Sequence, residues 1–187
     1  MYLPSDDSIL LANCVKHYHG NLALEIGIGS GIITRILCEN FETVIGTDIE
    51  FEILKNCKND NDLFSKKSLD LICTDAASPF RGNIFDLIVS NPPYVPDDRS
   101  NKGEKISDHA IYGGPSGIEI TLHIIKSSIF CLTKWGKVLI IVSSLSDHLR
   151  IYALMLELNL KGRRITEKKI FFETLSAVEL RFSGLSF

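Results

Sequence analysis

The residues of this chain best suited to chemistry are the tetrapeptide Asn91-Pro92-Pro93-Tyr94, which follows the apolar run from Phe85 to Ser90. An apolar run of this length, rich in branched and aromatic side chains and stopped by two prolines, predicts a buried parallel strand. Asn91 would stand at the carboxyl end of that strand, where ligands bind in open α/β sheets. We therefore expect the tetrapeptide to lie at a ligand site.

The two prolines make this segment a stiff set of hydrogen-bond acceptors. Each proline fixes its own φ angle and removes a backbone donor while its carbonyl stays available. The side-chain oxygen of Asn91 and a proline carbonyl can then each accept one hydrogen of an N–H₂ group. An Asn-Pro pair is also common in turns that merely end a strand. The residues upstream decide between these two interpretations.

A strand, a glycine-rich turn and a helix stand upstream. The strand is predicted at Leu22–Ile26, the turn is Gly27-Ile28-Gly29-Ser30-Gly31, and the helix runs from Ile32 to about Glu39. This order opens nucleotide-binding α/β folds, in which the glycines let backbone approach a ligand closely. The dinucleotide fingerprint would need a further glycine where Ile32 stands. Glu25, just before the turn, suits a cationic amino-acid group better than a phosphate.

Acidic residues also follow the next two predicted strands. Asp48 comes after Thr43–Thr47, and the pair Asp75-Ala76 comes after Leu69–Thr74. A carboxylate in the first position can accept hydrogen bonds from the ribose hydroxyls of an adenosine, and one in the second can accept the exocyclic N–H₂ of adenine. Alternatively, Asp48 and Asp75 could each cap the helix that follows. Acids at the ends of three successive strands favour a ligand site.

The rest of the chain predicts further elements of one α/β domain spanning residues 1–187. They are a helix from Asp6 or Asp7 to about Tyr18, an aperiodic loop at 95–116, a helix at 117–132, a strand at 136–142, a helix at 147–159, and a closing antiparallel hairpin with strands at 165–172 and 177–182. Loops as long as 95–116 are usually functional, so we expect a lid that grips the substrate, with a mobile surface loop as the alternative.

Composition narrows the classes of partner. The net charge is −3 with a pI near 5.9, which lacks the basic footprint of a protein that holds nucleic acid. Five cysteines without metal-ligand spacing predict no metal site and fit reduced thiols in a cytosolic or nuclear protein. No signal peptide and no membrane-spanning stretch are evident. The basic run at 161–164, with Lys168 and Lys169, is expected to be a solvated hairpin face.

With these elements in place, the sequence resembles the class I S-adenosylmethionine-dependent methyltransferases and, among them, the HemK-like N5-glutamine methyltransferases. The matching groups are Pro4-Ser5-Asp6-Asp7-Ser8, Glu25 to Gly31, Thr47-Asp48-Ile49, Asn91 to Tyr94, Tyr112-Gly113-Gly114 with Gly117 and Glu119, and Glu173-Thr174-Leu175-Ser176. The chain is most similar to the short eukaryotic and archaeal form of the family. The resemblance implies a Rossmann-like, seven-stranded, mostly parallel sheet with helices on both faces and a C-terminal antiparallel hairpin.

The resemblance also implies an activity, a cofactor and partners. Members of this form methylate the glutamine of the Gly-Gly-Gln loop in class I release factors in the cytoplasm or nucleus. They bind a small zinc-containing activator subunit and convert S-adenosylmethionine to S-adenosylhomocysteine. By the resemblance, the residues that hold the cofactor are Ser8, Glu25, Gly27, Gly29, Gly31, Asp48, Ile49, Asp75, Ala76 and Asn91. Asn91 and the Pro92 carbonyl would hold the substrate amide, in a slot that includes Pro93 and is lined by Tyr94.

Other activities remain open at this point. The Asn-Pro-Pro-Tyr frame also serves adenine N6 methylation of DNA or RNA, because the exocyclic amine of adenine offers the same two hydrogens. Base flipping needs a cation-rich groove, against which the acidity of the chain argues. Protein lysine methylation would need a base that the sequence does not identify. A cofactor-binding scaffold without turnover is disfavoured by the intact Asn91 and the three glycines of the turn.

The partner subunit is expected at an edge of the sheet. Phe41, Phe51 and Phe64, together with the apolar residues of the third strand, predict an edge that another chain covers by strand addition. Expressed alone, such a chain would be poorly soluble.

Overall fold

A single seven-stranded sheet, in the order β3-β2-β1-β4-β5-β7-β6, is the framework of this protein. The computed structural model describes residues 6–58, 69–97 and 111–184. The strands are β1 (Gly20–Ile26), β2 (Phe41–Asp48), β3 (Leu69–Cys73), β4 (Phe85–Ser90), β5 (Leu132–Ser143), β6 (Leu160–Ile170) and β7 (Glu173–Phe182). The helices in the described part are α1 (Asp6–Val15), α2 (Ile32–Asn40), α3 (Phe51–Lys58), α4 (Glu119–Ile129) and α5 (His148–Glu157).

The pairing of the strands matches the expected architecture. Neighbouring strands from β3 to β5 are parallel, whereas β7 is antiparallel to both β5 and β6. The mostly parallel sheet and the C-terminal antiparallel hairpin are therefore confirmed.

Helices cover both faces of the sheet because successive residues of a strand point to opposite sides. In β4, Leu87 and Val89 belong to one apolar cluster, which also contains Leu11 of α1. Ile88 belongs to a second cluster, together with Ile125 of α4. Since both faces are buried, apolar residues stand next to one another in the central strands, as in Leu87-Ile88-Val89, which is the pattern expected of a parallel sheet.

The strand order reverses beside β1, and this reversal positions the site. The chain proceeds outward from β1 to β3 and then returns to add β4 on the other side of β1. In register, Ile26 at the end of β1 pairs with Thr47 of β2 and with Ser90 of β4. The loops after these three strands therefore leave the same edge of the sheet, and such a switch point is where open α/β sheets bind ligands.

Several element boundaries differ from the sequence-based expectation. The largest difference is in the hairpin, whose strands β6 and β7 begin at Leu160 and Glu173 instead of at 165 and 177. β6 is an edge strand rich in charged side chains, so it lacks the apolar alternation from which a strand is predicted. α1 ends at Val15 and α4 at Ile129, both earlier than expected.

The loop expected to be a lid is described only at its two ends. Val95 forms a bridge with Tyr112, supported by hydrogen bonds from the Val95 amide to the Ile111 carbonyl (3.1 Å) and from the Gly113 amide to the Val95 carbonyl (3.0 Å). The intervening residues 98–110, and with them most of the expected lid, lie outside the described residues. Among the helices of the described part, none has the length and apolar character needed to cross a membrane.

Candidate active site

A cavity of about 570 Å³ opens at the carboxyl edge of the sheet. Of the thirteen residues predicted from the sequence to bind the cofactor or the substrate amide, twelve line this cavity: Ser8, Glu25, Gly27, Gly29, Asp48, Ile49, Asp75, Ala76, Asn91, Pro92, Pro93 and Tyr94. Gly31 does not line the cavity; it is the N-cap of α2 and has a left-handed backbone (φ 74°). The tertiary structure thus brings the nominated residues together around one space.

The glycine turn after β1 forms one wall of the cavity. The backbone amides of Gly27 and Ile28 both donate to the Thr47 carbonyl, at 2.9 and 3.0 Å, which attaches the turn to β2. Gly27 has φ of +77°, a conformation that L side chains rarely adopt, and a Cβ built there meets no atom within 4 Å. Space beside the turn is therefore open to a ligand, and a side chain at Gly27 would occupy it.

Glu25 is a buried carboxyl group at the end of β1. Its Oε2 accepts a hydrogen bond from the Thr34 hydroxyl of α2. Burial raises the pKa of Glu25 to about 8, against the opposing effect of the Thr34 hydrogen bonds and with a smaller contribution from the negative charge of Asp48. A cationic group in the cavity would favour the ionised form, so Glu25 suits a ligand that carries an ammonium.

Asp48 lies at the end of β2, next to the glycine turn. It is buried, and its Oδ1 accepts a hydrogen bond of 3.0 Å from the Glu50 amide. Burial raises the pKa of Asp48, whereas the amides of Glu50 and Gly29 lower it. Since Asp48 lines the cavity, its carboxylate is available to a hydroxyl donor of a ligand.

The corner after β3 depends on a residue that the sequence analysis missed. His123 of α4 places its Nε2 2.8 Å from Oδ1 of Asp75, and both side chains line the cavity. Next to Asp75, Ala76 adopts a left-handed conformation (φ 48°), and the Ala77 amide donates to the Ser127 hydroxyl of α4 (3.4 Å). In the sequence, the only indication that His123 could lie near the site is its position on a predicted helix, four residues after Glu119.

Asn91 presents an acceptor that is not satisfied by the protein. Its Nδ2 donates to the Ser8 hydroxyl oxygen at 3.3 Å. Its Oδ1 is buried and has no hydrogen-bond partner within the described parts of the chain. An unpaired buried acceptor costs about 1 to 3 kcal/mol, and a ligand with an N–H donor would remove that cost. The arrangement therefore fits the N–H₂ group expected from the sequence.

Tyr94, the last residue of the Asn91–Tyr94 segment, is held through both its side chain and its backbone. The Tyr94 hydroxyl donates to Oδ2 of Asp7 at 3.3 Å. The Ser146 hydroxyl lies 3.3 Å from the Tyr94 carbonyl and 3.2 Å from the Gly117 carbonyl. Gly117 has φ of +71°, and a Cβ there would overlap the Tyr94 carbonyl oxygen, so only glycine fits. Ser146 was not identified from the sequence.

Glu119, at the start of α4, fixes the turn that carries Gly117. Its carboxylate accepts hydrogen bonds from the Ser116 amide (3.1 Å), the Ser116 hydroxyl (2.7 Å) and the Ile118 amide (3.3 Å). It also pairs with Arg150 of α5. Burial acts to raise the pKa of Glu119, but the hydrogen bonds from Ser116 and Arg150 outweigh it and lower the pKa to about 2. The carboxylate is therefore charged at neutral pH and holds the turn in place.

No metal centre is found in the described ranges, where no three His, Cys, Asp or Glu residues could together hold an ion. The cysteines at 14, 38, 57, 73 and 131 are all free thiols.

Comparison with known proteins identifies the family. A family model described as a methyltransferase domain matches residues 24–93. A protein of Methanocaldococcus jannaschii, named as a protein N5-glutamine methyltransferase, is 30% identical over 180 residues, which are 95% of this chain and 90% of that protein. The methyltransferase HEMK2 of Homo sapiens is 25% identical over 194 residues, covering 96% and 88% of the two chains.

A solved structure shows the same fold. The E. cuniculi Mtq2–Trm112 complex, responsible for methylation of the translation termination factor eRF1, matches with a TM-score of 0.76 and 23% identity. The match covers 97% of this chain and 98% of that one. With the cavity, its residues and these relatives considered together, the chain belongs to the protein N5-glutamine methyltransferases, a family of class I enzymes that use S-adenosylmethionine.

Proposed function

We propose that this protein methylates the side-chain nitrogen of the glutamine in the Gly-Gly-Gln loop of a class I release factor. The observation that carries the proposal is the buried Oδ1 of Asn91, a residue that lines the cavity; this acceptor has no partner in the described part of the protein. A glutamine amide is uncharged and offers two N–H donors, so it matches this acceptor and a neighbouring proline carbonyl. The eRF1-methylating complex with the same fold supports the choice of substrate.

The residues of the cavity fit the methyl donor. Glu25 would bind the ammonium group of its methionine part, and Asp48 would accept hydrogen bonds from its ribose hydroxyls. The turn that contains Gly27 leaves room for it, since no protein atom lies where a Cβ of Gly27 would be. When bound, S-adenosylmethionine supplies an electrophilic methyl group on a sulfonium.

The protein contributes placement and charge stabilisation. An amide nitrogen is a weak nucleophile, because its lone pair is delocalised into the carbonyl. Asn91 Oδ1 and the Pro92 carbonyl would accept its two hydrogens and so orient the nitrogen toward the methyl carbon. As positive charge develops on the nitrogen, the same two acceptors stabilise it in the transition state. No group has to remove a proton before attack, which agrees with a central residue that does not titrate. The nitrogen would lose one of its two hydrogens as a proton to water after the methyl group has been transferred.

The substrate assignment is tested by transfer of a radiolabelled methyl group from S-adenosylmethionine. We expect label on a purified archaeal or eukaryotic class I release factor, and none on the same factor with the loop glutamine replaced by alanine. A single-stranded or duplex oligonucleotide rich in adenine serves as the second acceptor. Label on the oligonucleotide, or on the factor without its loop glutamine, would overturn the proposal in favour of adenine or another protein side chain.

We also propose that a small zinc-binding activator subunit covers the β3 edge of the sheet. β3 is an edge strand, and the neighbouring Ile49 and Phe51 are 62% and 63% exposed. Phe41, which the sequence analysis had placed at this edge, is buried in the core because it starts β2, an interior strand. Phe64 lies outside the described residues. The Trm112 chain in the solved complex supports a second subunit.

Co-expression with a candidate subunit tests this partner. Replacing Phe51 with Asp should abolish co-purification, whereas the same change at the exposed Phe130, which precedes the start of β5, should not. Zinc, measured by atomic absorption, should be present in purified samples that contain the subunit and absent from samples that lack it. Co-purification that is unaffected by Phe51→Asp would exclude this edge. Because its proposed substrate is a translation termination factor, we propose that the protein acts in the cytoplasm or nucleus.

A further inference from the structure

We propose that the tip of the β6–β7 hairpin, formed by Phe171 and Phe172, is the surface on which the protein substrate docks while its glutamine enters the cavity. This inference rests on the proposed function, because it names the surface that would recognise the same substrate. The two side chains are 99% and 94% exposed, and their ring centroids are 6.5 Å apart. They form one continuous aromatic patch, which we call the hairpin tip.

The fold itself does not explain these two phenylalanines. Ile170 pairs with Glu173, so Phe171 and Phe172 are the whole connection between the two strands. Two-residue hairpin turns favour Gly, Asn and Asp, whose backbones suit the turn. Two large apolar rings in this position bury nothing and leave an unfavourable hydrated surface. Adjacent exposed apolar side chains of this kind indicate a contact with another molecule.

The hairpin tip lies at the same edge of the sheet as the cavity. β7 runs antiparallel to β5, so its first residues stand beside the last residues of β5, with Ser143 opposite Leu175. The Ser144 amide donates to the Thr174 carbonyl at 2.9 Å, and the Thr174 amide donates to the Ser144 hydroxyl at 2.8 Å. Only two residues further along, Ser146 contacts the Tyr94 carbonyl. A short series of hydrogen bonds therefore joins the tip to the Asn91–Tyr94 segment.

A second set of contacts attaches the hairpin to the other side of the site. Lys168 of β6 pairs with Asp6 of α1, with Nζ and Oδ1 2.9 Å apart. The next residue of α1, Asp7, accepts the hydrogen bond from the Tyr94 hydroxyl, and Ser8 accepts the one from Asn91. The hairpin tip is thus held at a defined position relative to Asn91, as a docking surface that aims a glutamine must be.

The charge around the tip indicates what kind of protein surface it accepts. β6 carries five basic residues and one acidic residue, although the whole chain has a net charge of −3. Lys168 and Lys169 are the basic residues nearest the tip, whereas Lys161, Arg163 and Arg164 lie toward the other end of the strand, where Leu160 pairs with Phe182. A cleft of about 290 Å³ runs between the tip and Ser144 and is lined by both Lys169 and Glu173. The matching surface is an apolar patch with a few polar or charged groups of either sign at its rim, located near the glutamine loop of the substrate.

Exposed rings beside lysines could also stack on nucleic-acid bases, but the charges favour a protein. Three of the five cations are already paired with carboxylates of the chain itself: Lys168 with Asp6, Arg163 with Glu179, and Arg164 with Glu167. Phosphate binding depends on unneutralised cations, because its affinity comes from counterion release. A mostly apolar contact with a few charges at its rim agrees better with a protein interface.

The test compares the variant with both rings replaced, Phe171→Ser together with Phe172→Ser, with the wild-type chain. Phe130→Ser is the matched control. Phe130 is 68% exposed and precedes the first residue of β5, so it lies at the opposite end of the strands from the cavity. Binding of unmethylated release factor is measured by calorimetry, and KM and kcat by methyl transfer. We expect the double variant to weaken factor binding and raise KM at least tenfold. Its kcat at saturating factor and its affinity for S-adenosylmethionine should stay within twofold, and the control should match wild type.

The outcomes separate this inference from the proposed function. Equal factor binding by wild type and double variant, or no factor binding by wild type, overturns the docking surface even if the glutamine is methylated. Loss of oligonucleotide binding, with factor binding retained, overturns it in favour of nucleic acid. Ring-dependent binding of a factor whose glutamine is not methylated supports the docking surface and refutes the proposed function. An unchanged affinity for S-adenosylmethionine shows in each case that the variant is folded.

Discussion

The side-chain nitrogen of Asn91 donates a hydrogen bond to the hydroxyl of Ser8 across 3.3 Å. This bond joins the end of β4 to the first turn of α1, and in this arrangement the amide nitrogen of Asn91 faces Ser8. With the nitrogen facing Ser8, the oxygen is the atom left for a ligand; it is buried and without a partner in the described part of the chain, on a residue that lines the cavity. The catalytic proposal depends on this orientation.

Replacing Asn91 with Ala should reduce turnover by at least a hundredfold and leave the affinity for S-adenosylmethionine within a few fold. The oxygen that would orient the amide is lost, whereas the glycine turn and the acids that would bind the cofactor are intact. Radiolabel transfer and calorimetry measure the two quantities. Asn13→Ala, at an exposed position of α1, is the control. Retained turnover in Asn91→Ala would refute the assignment.

Replacing Asp48 with Ala should weaken S-adenosylmethionine binding by about 10- to 100-fold, because hydrogen bonds to a charged group contribute about 1.5 to 3 kcal/mol. Calorimetry with the purified chain measures this change. Asp70→Ala, at an exposed position of β3, should bind the cofactor as wild type does. An unchanged affinity in Asp48→Ala would show that the ribose does not lie beside this carboxylate.

The buried Glu25 predicts a pH dependence of stability. Its pKa in the folded chain is about 8, above the ordinary value of 4.5. Between these two values the folded state keeps a proton that the unfolded chain has released, so the free energy of unfolding should fall as pH rises from about 4.5 to 8. Urea unfolding at pH 5 and pH 8 measures this, and the Glu25→Gln variant should lose this part of the dependence. Identical pH profiles for the two proteins would contradict the prediction.

The same carboxyl group should release a proton when a cation binds beside it. Calorimetry of S-adenosylmethionine binding at pH 7, in buffers with different ionisation enthalpies, counts the protons released. Wild type should release more protons than Glu25→Gln, because the ammonium of the ligand lowers the pKa of Glu25. Equal proton release by the two proteins would place the ammonium elsewhere.

Replacing Gly117 with Ala should impair catalysis by displacing the backbone of Tyr94 and, with it, the segment that carries Asn91. A Cβ there would overlap the Tyr94 carbonyl, and the residue has φ of +71°, which costs a residue with a Cβ about 1 to 2 kcal/mol. We expect kcat to fall at least tenfold as the Asn91–Tyr94 segment shifts, with a lower melting temperature. Gly184→Ala is the control, since no atom lies within 4 Å of its Cβ position. Wild-type kcat in Gly117→Ala would show that this packing does not position the segment.

The order of the elements and the residues at the strand ends follow from local patterns in the sequence. β4 was predicted at Phe85–Ser90, and the structure has it there. A buried parallel strand is an apolar run with clear limits, and loops after parallel strands leave the same edge of a sheet. Glu25, Asp48 and Asn91 could therefore be placed around one site without coordinates.

The contacts that hold those residues in position arise from packing between elements that are distant in the sequence. Ser146 supports Tyr94 from 52 positions away, and His123 reaches Asp75 across 48. Such contacts depend on how helices pack on the sheet, and no local pattern of apolar and polar residues contains that information. The exposure of the rings at 171–172 is likewise not contained in any local pattern. The sequence shows two phenylalanines, but whether they enter the core or stand in water depends on where the hairpin ends, and that is set by its pairing with β5.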